Sequence, residues 1–296
     1  MRNRTKFGLA GALTLGVGIL GYASLVERVR YTLRRFDVPV LAEDSEPLRL
    51  LHISDLHMTP GQRSKQEWVA SLAALDPDLV VVTGDNLAHP DAVPSVVAAL
   101  QPLLDYPGGF VFGSNDYHGP MLKNPFTYFN PNRKRRFGPD LPWQPLRDVL
   151  VTAGWADLNN ARTTIKTASR VVELVGVDDP HHDLDDYGSV AGPASTDAEL
   201  HIGVTHSPEP RVLDLMAADG FSLLLAGHTH GGQVCLPGYG ALVTNCDLPR
   251  HMAKGLHRYG TDAWLHVSAG LGTSPYAPVR LACRPEATVL SLIPRA

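Results

Sequence analysis

Residue types that bind metal ions stand at the ends of five apolar runs in this chain of 296 residues. They are carboxylates, imidazoles and one amide, at positions 54–57, 83–86, 113–116, 204–207 and 226–232. In open α/β sheets a ligand binds beyond the carboxyl ends of the strands, so groups far apart in the chain meet there. Two carboxylates, one amide oxygen and four imidazoles suit zinc, manganese or iron, and contain too much nitrogen for calcium or magnesium. The pattern predicts a transition-metal site.

The five groups differ in how specific they are. An Asp-x-His triplet or a Gly-Asp pair after a strand is common by chance. His-x-His in a glycine-rich turn is more informative, because alternate residues of an extended loop place two imidazoles on one side. The ordered occurrence of all five groups, each after an apolar run, argues against coincidence.

In this order, the sequence resembles the calcineurin-like metallophosphoesterase superfamily from residue 48 to residue 293. The stretches at 52–57, 227–233 and 270–280 are most similar to a bacterial membrane-anchored branch that includes UDP-2,3-diacylglucosamine pyrophosphatases. The resemblance implies an α/β fold, a four-layer α-β-β-α sandwich of two mixed sheets. It also implies two divalent metal ions (Mn, Fe or Zn) and hydrolysis of a phosphodiester or diphosphate bond, with a lipid or cell-envelope precursor as the expected substrate.

The ligands of the two ions follow from the same resemblance. Carried over position by position, Asp55, His57 and His230 bind one ion, Asn115, His206 and His228 bind the other, and Asp85 bridges them. Two such cations lower the pKa of a shared water, and the resulting hydroxide attacks phosphorus near neutral pH. Their charge also makes an acidic protein compatible with an anionic substrate.

One position departs from the family pattern. The family commonly has a histidine after the ligand asparagine, and this histidine stabilises or protonates the transition state, whereas here Asp116 follows Asn115. Asp116 can act as an acid only if burial raises its pKa, and adjacent metal ions oppose that. His118, two residues further on, is the alternative. We therefore expect substrates with good leaving groups, such as diphosphates or activated diesters, to be preferred over alkyl monoesters.

The elements that must position these residues follow from the apolar pattern. Short β-type runs occupy 48–54, 79–83, 109–112, 200–204, 222–226, 264–268 and 287–293, and a hairpin is predicted from 163–166 and 170–176. Helical patterns cover 66–75, 93–104 and 144–153. Strand–helix alternation followed by a strand-rich second half predicts a layered α/β domain with one or two mixed sheets.

The first 36 residues differ in composition from the rest, with seven basic residues and one acidic residue. Residues 7–26 carry no charge and follow three cations, and about 20 residues are what a helix needs to cross a bilayer. We expect an apolar helix that anchors the protein to a membrane, ahead of a metallophosphoesterase domain at 37–296. A cleaved signal peptide and a helix packed on the soluble domain are the alternatives. Cations flank both ends of the run, so the side of the membrane stays open.

Residues 117–143 form a basic and aromatic insertion, with a run of four cations at 133–136. Three interpretations remain open: a cap over the substrate, a contact with membrane headgroups, and a solvated loop. A nucleic-acid surface is disfavoured, because the surrounding body is acidic.

The remaining candidates lie outside the ligand set. Arg280 and Asp179 are expected to contact substrate, and the tract at 178–183 is interpreted as an exposed acidic loop. Three cysteines without a C-x-x-C pair exclude a disulfide framework, and 44% apolar residues exclude a disordered chain. The chain is therefore expected to be a metal-dependent phosphoesterase. The alternatives are a nuclease, a cyclic-nucleotide phosphodiesterase, or a non-catalytic scaffold of the same fold, which the intact ligand positions disfavour.

Overall fold

The computed structural model describes residues 2–122 and 137–295, with side chains described from residue 14 onward. Its α-helices are α1 (Arg2–Leu25), α2 (Arg63–Ala70), α3 (Val93–Leu100), α4 (Ser114–Tyr117), α5 (Trp143–Thr152) and α6 (Pro210–Ala218). The first strands are β1 (Thr32–Leu41), β2 (Leu48–Ile53), β3 (Leu79–Val82), β4 (Gly108–Phe110), β5 (Ala156–Asp157), β6 (Ala161–Lys166) and β7 (Val171–Gly176). They are followed by β8 (Leu200–Val204), β9 (Leu223–Ala226), β10 (Cys235–Leu236), β11 (Gly240–Ala241), β12 (Gly255–Tyr259), β13 (Ala263–Val267) and β14 (Glu286–Pro294).

The strands form two six-stranded sheets and a small hairpin, β10–β11. The first sheet has the order β1-β14-β2-β3-β4-β5 and the second the order β12-β13-β9-β8-β7-β6. Each sheet contains parallel and antiparallel pairs: β2 runs parallel to β3 but antiparallel to β14, and β8 runs parallel to β9 while β6 is antiparallel to β7. The predicted α/β class with mixed sheets is confirmed, as is the β6–β7 hairpin.

Burial explains why the central strands are continuous apolar runs. Along β2, Leu51 packs in a cluster with residues of α2, α3 and α5, whereas its neighbour Leu50 packs against residues of the second sheet. Successive side chains of a strand point to opposite faces, so a strand covered on both faces is apolar throughout. A third cluster joins the second sheet to Leu213 and Met216 of α6.

Strand β1 was not predicted, because its sequence contains charges that break an apolar pattern. Arg34 and Arg35 lie on its exposed side, and Arg34 Nε donates to Glu286 Oε2 at 3.2 Å. The strand pairs in parallel with β14 along its length. It runs through residue 36, so the compositional boundary does not coincide with the start of the sheet.

The N-terminal segment is helical over α1, and its last turns present exposed apolar side chains, including Leu15, Val17 and Leu20. Among the described residues, no helix has both the length and the apolar character needed to cross a membrane.

The described ends of the predicted insertion are tied to the body through α4 and α5. His118 forms an isolated bridge with Asp140, and Tyr117 packs edge-on against Trp143 with ring centroids 5.3 Å apart. The cations at 133–136, together with Lys123 and the aromatic residues Phe126, Tyr128 and Phe129, lie outside the described residues.

Candidate metal centre

Four of the predicted ligands form one compact cluster: Asp55, His57, Asp85 and His230 each offer a ligand atom, and these atoms lie within 4.8 Å of one another. His57 Nε2 is 3.1 Å from His230 Nε2 and 3.4 Å from Asp85 Oδ2. His230 Nε2 is 3.7 Å from Asp55 Oδ1. These residues follow β2, β3 and β9, so the cluster spans the carboxyl ends of strands from both sheets.

The other three predicted ligands lie on the opposite side of Asp85. His206 Nε2 is 3.4 Å from Asp85 Oδ1, and His228 Nδ1 is 3.3 Å from His206 Nε2. Asn115 donates to Asp85 twice, from its backbone N–H at 2.8 Å and from its side-chain Nδ2 at 2.7 Å. Asp85 therefore touches both groups of candidate ligands: Oδ1 faces His206, Oδ2 faces His57, and Asn115 donates to both oxygens.

Unusual backbone conformations hold these side chains in place. Asp55, His57, Asp85, His228 and His230 all have positive φ, between 39° and 68°. L-residues other than asparagine and aspartate rarely adopt this left-handed region, and such strain clusters at functional sites. It persists here because strand ends and backbone bonds fix the turns, as where His57 N–H donates to Asp85 O at 2.9 Å.

Two glycines allow the turns to approach each other. A Cβ at Gly113 would collide with Asp85 Oδ1 and the His206 ring, and a Cβ at Gly227 would collide with Ser54 Oγ and lie 2.6 Å from Asp55 Oδ2. Both positions require glycine because of close approach rather than dihedral angle, since neither has a positive φ.

The electrostatics of the cluster fit a bound cation. Burial lowers the pKa of His57 to about 4 and holds those of His228 and His230 well below the ordinary value. Burial alone would raise the pKa of Asp85, but His206 and His57 hold it well below its usual range, and Asp85 in turn raises the pKa of His206. Burial raises the pKa of Asp55 to about 6. The imidazoles of His57, His228 and His230, which burial keeps neutral, and the carboxylate of Asp85 are donor types that zinc, manganese or iron accepts.

A chain of polar side chains supports His206 from behind. His206 Nδ1 lies 2.7 Å from Thr83 O, and Thr83 Oγ1 lies 2.9 Å from His52 Nε2. His52 Nδ1 is 2.8 Å from His266 Nδ1, and both rings are fully buried. Sequence reasoning gave no role to His52 or His266, because their partners come from distant strands. The signal available was a histidine inside an apolar strand, at which burial demands a partner.

The carboxylate of Asp116, for which a role as an acid was predicted, is engaged by backbone amides. Its Oδ1 accepts from the N–H groups of Asn86 and Leu87 at 2.8 and 3.2 Å, and its Oδ2 accepts from Gly113 N–H at 3.0 Å. Burial raises the pKa of Asp116 to about 7, the charge of Asp85 adds to this, and the amide donors oppose it. The side chain braces the turns after β3 and β4.

Arg280, which was expected to contact substrate, is engaged by backbone carbonyl oxygens. It is fully buried, and its Nη2 donates to the carbonyl oxygens of Ala269, Gly270 and Gly272 at 2.7, 3.1 and 2.7 Å. The same atom lies 3.3 Å from His230 Nδ1. Arg280 therefore ties the loop after β13 to the turn that carries His230.

The tract at 178–183 lies beside the metal centre rather than in solvent. Asp179 is fully buried and accepts from His181 N–H at 3.0 Å, and its Oδ2 is 3.6 Å from His182 Nδ1. Burial raises the pKa of Asp179 to about 7. The ring of His181 packs 4.6 Å from that of His228. The signal that could have placed this tract was its position directly after β7, at the same sheet edge as the ligands.

A small cavity of about 70 Å³ opens next to Asn115. Its lining includes the imidazoles of His118, His181 and His182, and His118 Nδ1 lies 3.2 Å from Asp140 Oδ1. The cavity is thus bordered by a candidate ligand on one side and by three titratable rings on the other, with Phe137 packed 4.9 Å from His118.

Buried carboxylates and imidazoles that converge at strand ends are the arrangement expected of a metal-binding α/β protein. The chain is a member of the calcineurin-like phosphoesterase family, whose model matches residues 48–232. The three cysteines of the chain are free thiols.

Relatives of this chain carry phosphoesterase names. It is 31% identical to the uncharacterized metallophosphoesterase YkoQ of Bacillus subtilis over 81% of this chain and 82% of that protein. It is 27% identical to the phosphodiesterase YaeI of Escherichia coli over 99% of this chain and all of that protein. A transmembrane protein with metallophosphoesterase domain from Danio rerio is 25% identical over 96% of this chain and 62% of its own length. The non-catalytic alternative is therefore not supported.

Proposed function

We propose that this protein is a dinuclear-metal phosphoesterase that hydrolyses a phosphodiester or diphosphate bond. The observation that carries the proposal is the contact of Asp85 with both ligand groups, His57 through Oδ2 and His206 through Oδ1. Two bound divalent cations would activate water and neutralise charge on the phosphoryl oxygens. The name of the Escherichia coli relative, a phosphodiesterase, supports the bond type.

The residues of the chain divide this work. Asp55, His57 and His230 would hold one cation, Asn115, His206 and His228 would hold the other, and Asp85 would be shared by both. Arg280 and Thr83 would orient the rings of His230 and His206. Burial of the ligands excludes bulk water, which strengthens each electrostatic contact with a phosphoryl group. We propose a four-layer arrangement around this centre, supported by the three separate apolar clusters.

We further propose that the leaving group receives its proton from the imidazoles beside Asn115. Both oxygens of Asp116 are engaged by amides, whereas His118 and His182 line the cavity next to the ligand asparagine. An imidazole has an unperturbed pKa near 6.5 and can act as an acid near neutral pH.

Replacing His118 or His182 by alanine is expected to reduce hydrolysis of alkyl esters by about a hundredfold or more, because poor leaving groups need protonation. Hydrolysis of 4-nitrophenyl esters should change little, since that leaving group departs as an anion. The measurement is kcat across a series of leaving groups. Asp116→Asn serves as the comparison: it should lower the Tm without changing the ratio of alkyl to aryl rates. A steeper leaving-group dependence in Asp116→Asn than in either histidine variant contradicts the assignment.

The function itself is tested by reconstituting the purified chain with manganese, iron or zinc and measuring bound metal beside activity. We expect two metal ions per chain, with hydrolysis of diphosphates and aryl diesters exceeding that of alkyl monoesters. Cyclic nucleotides and single-stranded DNA in the same panel distinguish the alternative substrates. A metal-replete chain that hydrolyses none of the phosphoesters overturns the proposal.

We propose that the protein works at a membrane, with residues 1–36 as the anchor and the domain at 37–296, including the insertion at 117–143, as the hydrolase. The exposed apolar side chains of α1 and the cations on either side of the uncharged run at 7–26 support this. Relatives named as transmembrane proteins point the same way. A phosphorylated lipid or envelope precursor is then the substrate class.

A further inference from the structure

The hairpin β10–β11 carries large apolar side chains on its outer surface. Leu236 and Tyr239 are 46% and 57% exposed, and Leu242 and Val243, just after the hairpin, are 45% and 54% exposed. Every residue from 236 to 240 is exposed. We call residues 236–243 the hairpin ridge. Exposed apolar patches of this kind mark contact surfaces.

A basic cleft lies at the base of the hairpin ridge. It has a volume of about 630 Å³ and is lined by Arg250, His251 and Lys254 on one side and by hairpin residues on the other. No carboxylate is among its described lining residues, and Asp247, three positions before Arg250, does not border it. Lys254 Nζ donates to Cys283 Sγ at 3.7 Å, and the cationic lining of the cleft favours an anion.

The two features are structurally coupled. The guanidinium of Arg250 lies 4.2 Å from the centroid of the Tyr239 ring, a cation–π contact that holds a cation directly beneath an exposed aromatic. The aliphatic stem of Lys254 reaches the turn at Gly231, next to His230. The apolar hairpin ridge lies above the basic cleft. This order matches a bilayer surface, where the acyl chains lie beneath the phosphate headgroups.

The hairpin ridge is also continuous with the exposed face of α1. Val234, just before β10, forms a bridge with Leu281, and Cys235 N–H donates to Leu281 O at 2.8 Å. Leu281 in turn lines an apolar groove with Leu15, Ile19 and Tyr22 of α1. The backbone of Leu281 thus pairs with the residues that lead into the hairpin, and the same residue lines the groove beside α1.

We propose that the hairpin ridge and its basic cleft form a docking face for a membrane of anionic phospholipids. The ridge enters the boundary between headgroups and acyl chains, and the cleft receives lipid phosphates through Arg250 and Lys254. Tyrosine is suited to this depth because its ring is apolar and its hydroxyl group can hydrogen-bond to water. This face is separate from the metal centre, and the proposal does not depend on the bond that the enzyme hydrolyses.

Tryptophan fluorescence of the full chain tests the depth of the hairpin ridge. Tyr239→Trp is compared with Leu215→Trp, since Leu215 on α6 is 50% exposed and lies outside the proposed face. On vesicles of phosphatidylcholine and phosphatidylglycerol with brominated acyl chains, we expect added quenching in Tyr239→Trp alone. The native tryptophans form the same background in both variants. Equal quenching in the two variants, or none in Tyr239→Trp, overturns the proposal.

Vesicle flotation tests the basic cleft. The double variant Arg250→Gln and Lys254→Gln is expected to bind phosphatidylglycerol vesicles about thirtyfold more weakly, as loss of two membrane-adjacent cations implies. Its binding to pure phosphatidylcholine vesicles, which depends on the apolar surfaces, should stay unchanged. Circular dichroism checks that the variant is folded, and unchanged affinity for the anionic vesicles contradicts the proposal. Because neither readout is hydrolysis, an inactive enzyme leaves both tests intact.

Discussion

Replacing Asp85 by alanine is expected to abolish hydrolysis and to weaken metal binding by more than about a hundredfold, since even changes to residues that only orient ligands cost 10–100-fold. The side chain of Asp85 contacts His57, His206 and Asn115 together. Its removal leaves Asn115 Nδ2 without this acceptor and takes the negative charge away from between the imidazoles. The measurement is metal content by mass spectrometry together with the rate on an aryl phosphodiester.

Asp91→Asn is the matched control for Asp85→Ala. The side chain of Asp91 is 83% exposed and lies against His89, which is not a candidate ligand, so its change should leave metal content and rate unaltered. If Asp85→Ala retains two metal ions and its activity, the centre described here is not the catalytic one. If it loses the metal but unfolds, Asp85→Asn, which keeps the shape of the side chain, separates a binding defect from a folding defect.

Replacing Arg280 by alanine is expected to destabilise the fold by about 3 kcal/mol or more, because it leaves three buried carbonyl oxygens without a charged donor. The loop at 269–272 and the ring of His230 lose a common support, so metal affinity should fall as well. Arg280→Lys should recover little, since an ammonium group lacks the planar fork that reaches several acceptors. Denaturant unfolding with and without metal measures both effects.

Arg284, four positions further on and exposed, provides the control. Arg284→Ala should unfold like the unaltered protein. A substrate-contact role for Arg280 predicts a different result: a higher KM with unchanged stability. The two roles are therefore separated by one pair of measurements on the same variant.

The sequence was a good guide to the central strands because they are buried on both faces. The runs at 48–54 and 79–83 are apolar for the reason that β2 and β3 lie between a helical layer and a second sheet, and both appear within a residue of the expected bounds. β1 and β12 were missed because their half-exposed sequences alternate charges with apolar residues. Helix α6 was missed because it is only nine residues long and its buried apolar residues all pack in one cluster. Its apolar pattern is therefore weaker than that of a strand buried on both faces.

For the site, residue type and order were informative, but burial was not available from sequence. The seven candidate ligands are brought together by strand ends, which follows from topology. Asp116 and Arg280 were assigned chemical roles because charged residues near motifs usually face solvent or substrate. In this fold both side chains form hydrogen bonds with backbone groups. His181 and His182 were set aside as a loop, since nothing local indicates that β7 ends beside β8. The left-handed φ values of the ligands have no sequence signature outside glycine.

The order of strands in the first sheet has a consequence for how the chain is made. β1 pairs with β14, and β14 separates it from β2. β1 can therefore pair with its neighbouring strand only after β14 has been synthesised. Pairing over so long a sequence separation is slow and leaves strand edges open in the meantime. The second sheet, whose six strands fall between residues 161 and 267, can assemble earlier. Completion of the first sheet, in which β1 pairs with β14, is therefore expected to follow assembly of the second sheet.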